Sequence, residues 1–156
     1  MTDKKTPKAG QNRRKSRELV LKGLYSQILS ESDLRETLRN LAEDEDYARA
    51  DAEYFKGLLE SVVAERASLE ARIAPLLDRP LSELSPVEHA ILCLSGYELI
   101  HDVSIPYRVA INEGVELAKR FGGTDGFKFV NGVLDKLAAE ARPDEVKQNA
   151  TGKSKS

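Results

Sequence analysis

Apolar side chains recur every three or four residues along most of this chain, and no stretch of more than four residues alternates strictly between apolar and polar. The first spacing is typical of one face of an α-helix, whereas alternation would indicate a β-strand. The pattern therefore predicts an all-α fold of about six or seven helices in two packed subdomains, at about residues 13–78 and 79–142. We expect residues 1–12 to form a flexible basic arm and residues 143–156 a disordered tail, because neither segment has this period.

The clearest helix start lies at Ser85. Serine suits the N-cap, Pro86 suits the first helical position, and Glu88 can complete a capping box. The residues that follow, as far as Ile100, are apolar on nearly every side. This helix should therefore be the central and most enclosed one.

Composition excludes several classes of protein. The longest nearly apolar run, 90–100, has 11 residues, includes Glu98 and is too short to cross a bilayer. Cys93 is the single cysteine and there are two histidines, so we expect neither an internal disulfide nor a metal site, and no cofactor. The start of the chain does not resemble a signal peptide, which predicts a location in the reducing cytoplasm.

Few residues are suited to catalysis. His89 and His101 lie twelve positions apart near the two ends of one helix, and Cys93 follows His89 by one helical turn. The leucines beside Cys93 predict a buried, unreactive thiol. Neither a phosphate-binding glycine pattern nor a GxSxG nucleophile elbow occurs. We therefore expect a protein that is not an enzyme.

Charge is distributed unevenly along the chain. Residues 1–17 contain seven cations and one anion, and residues 142–156 contain four cations and two anions. The residues between them contain 13 cations and 23 anions. A basic segment on an acidic body is typical of a protein that binds a polyanion, usually nucleic acid, at a defined place.

Two groups of residues combine positive charge with aromatic rings. The first lies along the first helix and comprises Arg13, Arg14, Lys15, Arg17 and Tyr25. The second lies at the start of the last helix, which Thr124 or Asp125 caps, and comprises Asp125, Lys128 and Phe129. Arginine and helix N-termini bind phosphates, and exposed aromatic rings stack on unpaired bases. From these residues alone, a merely solvated arm and a core position for Phe129 remain alternatives, whereas Phe127 lies off the apolar stripe.

Several runs closely resemble the NusB family of bacterial transcription antitermination proteins. The most specific are IPYRVAINE at 105–113 and KFVNGVLD at 128–135; 97–99, 116–122, 13–18 and 24–26 are also similar. The resemblance covers about residues 13–142. One departure is Gly126-Phe127, where relatives often have a serine followed by a polar residue or histidine, and it changes the cap of the last helix.

The resemblance implies an all-helical, two-subdomain protein that binds the single-stranded boxA element of leader transcripts, especially those of ribosomal RNA operons. It implies two partners: the ribosomal protein NusE and, through the complex, RNA polymerase reading through termination signals. The positions that match RNA contacts are Arg13, Arg14, Lys15, Arg17, Tyr25, Asp125, Lys128 and Phe129. Glu88 and Tyr107 match positions that face NusE.

Two other functions are open on sequence grounds. The chain would be a helical scaffold or a homodimer without a direct RNA role if the basic arm were incidental, with Glu88 and Tyr107 as its docking face. The least favoured function is a small enzyme that uses His89 with Cys93 or a glutamate.

Overall fold

The computed structural model describes residues 9–30 and 32–155, and it describes side chains for 13–30 and 32–149. Within these residues the chain forms α-helices and short 3-10 helices and has no β-strand, which confirms the all-α prediction. The α-helices are α1 (Ala9–Ser30), α2 (Leu34–Leu41), α3 (Ala52–Ile73), α4 (Pro86–His101), α5 (Tyr107–Phe121), α6 (Gly126–Ala141) and α7 (Pro143–Lys155). In the part of the chain that the structure describes, no helix is long and apolar enough to span a membrane.

Contacts between residues divide the chain into two compact units, Met1–Ala64 and Glu65–Ser156. The boundary lies within α3, whereas the sequence pattern predicted it at about residues 78 and 79. Helix α3 therefore contributes its first half to one unit and its second half to the other.

The first unit buries apolar side chains from α1 and α3. Leu24 of α1 and Leu59 of α3 are both fully buried. Gly23 permits this packing, because a Cβ atom on Gly23 would lie 2.8 Å from Cδ2 of Leu59. The stripe along α1 thus forms one side of the core of the first unit, as its helical spacing predicted.

The second unit is built around α4, which packs against α5 and α6. The Ser85 hydroxyl accepts a hydrogen bond from the backbone N–H of Glu88 at 3.1 Å, which confirms the predicted N-cap. Residues Ala90–Gly96 of α4 are all buried, as expected for the central helix. A Cβ atom on Gly114 of α5 would collide with the Ser95 hydroxyl, so the two helices approach closely there.

The ends of the chain differ from the predictions. Residues 9–12, which we expected in the flexible arm, belong to α1, and residues 1–8 lie outside the described part. The expected disordered tail is wrong for 143–155, which form α7. Pro143 begins this helix, and Asp144 and Glu145 lie in its first turn, where negative charge is favourable. These local signals and the contacts of Glu145 outweigh the polar composition of the segment.

Arg142 joins the ends of α4 and α6. Its buried guanidinium donates hydrogen bonds to the backbone carbonyls of Leu99 at 2.7 Å, Glu98 at 3.1 Å and Asp102 at 3.0 Å. It also pairs with Glu145 at 2.6 Å. The last carbonyls of a helix lack partners within that helix. One arginine therefore satisfies the end of α4 and fixes the start of α7.

Candidate nucleic-acid and partner interface

The start of α1 presents two arginines at the surface. Arg13 and Arg14 are both exposed. The guanidinium carbon of Arg13 lies 4.3 Å from the ring centroid of Tyr54, near the start of α3. This cation–π contact restricts the side chain without removing its charge. Arg13 is thereby held where it can contact a phosphate.

Lys15 and Arg17 are placed differently from that exposed pair. The Nζ atom of Lys15 lies 3.5 Å from Glu18 and 3.6 Å from Asp46, and the lysine is half-buried. Arg17 exposes only 6% of its surface. The apolar stripe of α1 carries Arg17 inward, so this structure buries the residue instead of presenting it at the surface.

The carboxylates of an acidic loop at residues 43–46 neutralise part of the positive charge of α1. Lys22 forms an ion pair with Asp44 at 2.8 Å, and Asp46 accepts a hydrogen bond from Arg49 at 2.7 Å. The hydrogen bond from Lys22 holds the pKa of Asp44 below its ordinary value of 3.8, so this carboxyl stays charged at neutral pH. Arg13 and Arg14 lie exposed at the start of the basic segment, and Tyr25, about three turns further along α1, is 40% exposed.

The start of α6 brings together the second predicted group. Asp125 occupies the N-cap position without a side-chain cap bond, and its carboxylate lies 3.7 Å from Nζ of Lys128. Both side chains are exposed. Phe129 is half-buried, and the guanidinium carbon of Arg79 lies 4.5 Å from its ring centroid. Sequence reasoning missed Arg79, since nothing in the spacing of residues 79 and 129 indicates this contact.

Glu88 lies beside the same helix start. Gly126 is buried, and a Cβ atom there would lie 2.7 Å from Oε2 of Glu88. Glycine at this position lets the carboxylate approach the first turn of α6. Glu88, which is predicted to face the partner, thus adjoins the predicted RNA contacts Asp125 and Lys128. Gly126, which stands where relatives often have serine, leaves room for the Glu88 carboxylate.

Tyr107 and Lys128 line one open groove of about 710 Å3 between α5 and α6. Phe127 lies in this groove, and its ring centroid is 5.2 Å from Nζ of Lys119 and 6.0 Å from Nζ of Lys128. Phe127, which the sequence places off the apolar stripe of α6, is thus half-buried between two cations. The groove places a predicted partner residue and a predicted RNA residue on one surface.

A family model described as the NusB family matches residues 14–139. The chain belongs to the NusB family. The transcription antitermination protein NusB of Methylobacillus flagellatus is 66% identical over 145 residues, which are 93% of this chain and 94% of that relative. The NusB protein of Bordetella pertussis is 55% identical over 138 residues, which are 86% of this chain and 90% of that relative.

Solved structures of NusB proteins have the same fold. NusB of T. maritima is 30% identical with a TM-score of 0.76, covering 86% of this chain and 96% of that one. A crystal structure of the antitermination factors NusB and NusE in complex with double-stranded RNA matches at 26% identity with a TM-score of 0.72, covering 83% of this chain and 97% of that one. The NusB family match ends before Pro143, so α7 lies outside it.

One further cluster lies apart from the residues that the NusB resemblance singled out. Glu70, His89 and Cys93 each place a potential metal-binding atom within 4.8 Å of the others. Sequence reasoning missed Glu70 here. Its Oε2 atom accepts hydrogen bonds from Nε of Arg66 at 2.8 Å and from His89 at 2.7 Å.

The electrostatics of this cluster fit a structural role. Burial would raise the pKa of Glu70, but the hydrogen bonds from Arg66 and His89 outweigh burial and hold it below 4.5. The fully buried thiol of Cys93 has its pKa raised to about 12 by burial. A protonated thiol is not a nucleophile, and the Glu70 carboxylate already has cationic and hydrogen-bonding partners.

Proposed function

We propose that this chain is a non-enzymatic RNA-binding transcription antitermination factor that binds the boxA element of leader transcripts together with the ribosomal protein NusE. The observation that carries the proposal is the likeness to the NusB–NusE–RNA complex, which covers 83% of the chain. Relatives named as transcription antitermination proteins support it at up to 66% identity. The factor acts in the cytoplasm, where its complex with RNA and NusE engages RNA polymerase.

The RNA contacts divide into phosphate-binding and base-stacking groups. Arg13 and Arg14 on α1 and Lys128 on α6 supply the charge that phosphates require. Tyr25 and Phe129 supply rings on which splayed bases stack, and stacking with edge contacts gives selectivity for a single strand. Lys15 and Arg17 support the start of α1, and Asp125 orients Lys128 through their ion pair.

NusE docks on the second unit, at Glu88 and at the groove that Tyr107 lines. Glu88 is one turn into α4 and touches the start of α6, so a protein bound there lies next to Lys128. A partner that also contacts RNA raises the affinity of both, because two linked contacts form together. The same groove would serve a purely protein-binding scaffold, which is the second candidate function.

The decisive experiment is a titration of boxA-like RNA, as a single strand and as a duplex, with and without NusE. We expect the single strand to bind more tightly than the duplex, and NusE to increase its affinity. Ribonuclease treatment of the assembled complex is the matching control. A chain that binds NusE equally well after ribonuclease treatment and binds neither RNA form would be a scaffold instead.

Replacing the ring of Phe129 should weaken RNA binding by about tenfold, since base stacking on an aromatic side chain contributes about 1–3 kcal/mol per base. Phe129→Leu keeps apolar volume beside Arg79 while removing the stacking surface. Fluorescence anisotropy with labelled boxA-like RNA measures the change.

Phe127→Leu is the matched control, because it removes a neighbouring ring from the same helix. We expect it to change RNA affinity by less than about twofold, since the Phe127 ring is half-buried in the groove assigned to NusE and is not a stacking surface for bases. A larger loss for Phe127→Leu than for Phe129→Leu would show that the stacking residue is assigned wrongly.

A further inference from the structure

Helix α7 begins against the first residue of α5. The backbone N–H of Tyr107 donates a hydrogen bond to Oε2 of Glu145 at 2.9 Å, and Arg142 pairs with the other carboxylate oxygen at 2.6 Å. The first N–H groups of a helix have no partner within it. The bond from Tyr107, followed by that from Arg142, holds the pKa of Glu145 below 4.5, so the carboxylate is charged at neutral pH. Glu145 therefore caps α5 from outside that helix.

One turn later, Asn149 of α7 reaches the side chains at the start of α5. Its amide lies between the Tyr107 hydroxyl and the Arg108 guanidinium, so its oxygen must face these donors. In that orientation the oxygen accepts hydrogen bonds from Nε of Arg108 at 2.6 Å and from the Tyr107 hydroxyl at 3.2 Å. The same two groups line the groove between α5 and α6.

The two ends of this contact differ in strength. Glu145 is held by Arg142, which is itself fixed to three carbonyls of α4 and its C-terminus. Asn149 is an uncharged amide that accepts one bond from the Arg108 guanidinium and one from the Tyr107 hydroxyl, next to a small open groove of about 300 Å3 between Tyr107, Arg108 and α7. Both bonds of Glu145 have an ionised carboxylate as acceptor, and its bond from Arg142 joins two opposite charges at 2.6 Å, whereas the acceptor of Asn149 is neutral. Helix α7 is thus anchored at its first turn and held more weakly at Asn149.

We propose that α7 is an intramolecular cover over the docking face at the start of α5, and that a protein partner displaces its later turns from Asn149 onward. The inference rests on the proposed function, in which Tyr107 faces NusE. The hydroxyl of Tyr107 and the edge of Arg108 cannot bond Asn149 and a partner in the same positions at once. A partner that fits therefore offers an acceptor oxygen, as Asn149 does, and the covered state lowers its apparent affinity.

Asn149→Ala tests the cover directly. Removing hydrogen bonds of this kind shifts an equilibrium by about fivefold, so purified NusE should bind the variant about fivefold more tightly than the natural chain. Glu145→Gln removes the charge of the anchor and should act in the same direction. Calorimetry with NusE measures the affinity of each variant.

Asp144→Asn is the matched control, since Asp144 is exposed beside Glu145 in the first turn of α7 and lines neither groove. It should leave the affinity for NusE unchanged, and none of the three variants should change the affinity for boxA-like RNA alone. Equal or weaker NusE binding by Asn149→Ala and Glu145→Gln would overturn the cover while leaving the proposed function standing. Failure of the natural chain and every variant to bind NusE would instead refute the proposed function.

Discussion

The double variant Arg13→Glu/Arg14→Glu should bind boxA-like single-stranded RNA about 100-fold more weakly than the natural chain. Each hydrogen bond to a charged group contributes about 1.5–3 kcal/mol, and reversal adds repulsion to an already acidic body. If about four phosphates are neutralised, the slope of log affinity against log salt should fall from about −3 to about −1.4, because two contacts are lost. Anisotropy titrations across a salt series measure both quantities.

Arg35→Glu/Arg39→Glu provides the matched control. Both residues are exposed on α2 of the same unit, so the net charge changes equally while the start of α1 is untouched. We expect less than about a threefold loss of affinity for this variant, with the salt slope preserved. Equal losses in the two double variants would mean that only net charge matters, and unchanged binding by Arg13→Glu/Arg14→Glu would remove α1 from the RNA site.

Arg142→Ala should lower the free energy of unfolding by about 3 kcal/mol. The substitution removes three hydrogen bonds from a charged donor and leaves the Leu99 carbonyl without its donor, whereas the carbonyls of Glu98 and Asp102 keep bonds from backbone N–H groups. An unsatisfied buried group costs about 1–3 kcal/mol, and each lost bond to a charged group adds to this cost. The Arg142 side chain is only 5% exposed, whereas Glu145 is 38% exposed, so the carbonyl bonds contribute more than the ion pair. Urea unfolding followed by circular dichroism measures the loss.

Arg72→Ala is the comparison for this variant. Arg72 is an exposed arginine in the last turn of α3, and its removal should cost less than about 0.5 kcal/mol. Arg142→Lys should be intermediate, since an ammonium cannot reach three carbonyls with the geometry of a guanidinium. A loss below about 1 kcal/mol for Arg142→Ala would show that water replaces the guanidinium at the end of α4.

The helices that the sequence predicted best are those whose signals are local. The capping residues Ser85 and Pro86 and the apolar run after them determine α4 almost alone, and the structure places its start as predicted. Helix α7 was missed because the polar residues along the segment outnumber the local signals at its start, which are Pro143 and the acidic residues of the first turn. The bond from the N–H of Tyr107 to Glu145 joins residues 38 positions apart in the chain, and no local pattern indicates it.

The candidate site was predictable to the extent that it lies on single helices. Arg13, Arg14, Lys128 and Phe129 follow from residue type and helical spacing, and all lie at or near helix starts. The burial of Arg17 was not predicted because a charged residue is expected at the surface, although the apolar stripe of α1 runs beside it. Contacts between distant segments, such as Arg79 on Phe129, depend on packing that no spacing encodes.

The burial of Cys93 has a practical consequence for studying this molecule. A protonated thiol without solvent access does not react with maleimides or iodoacetamides in the folded chain. A cysteine introduced at an exposed position is then the single reactive thiol among the side chains that the structure describes. Dyes and spin labels can therefore be attached at chosen points without first replacing the natural cysteine.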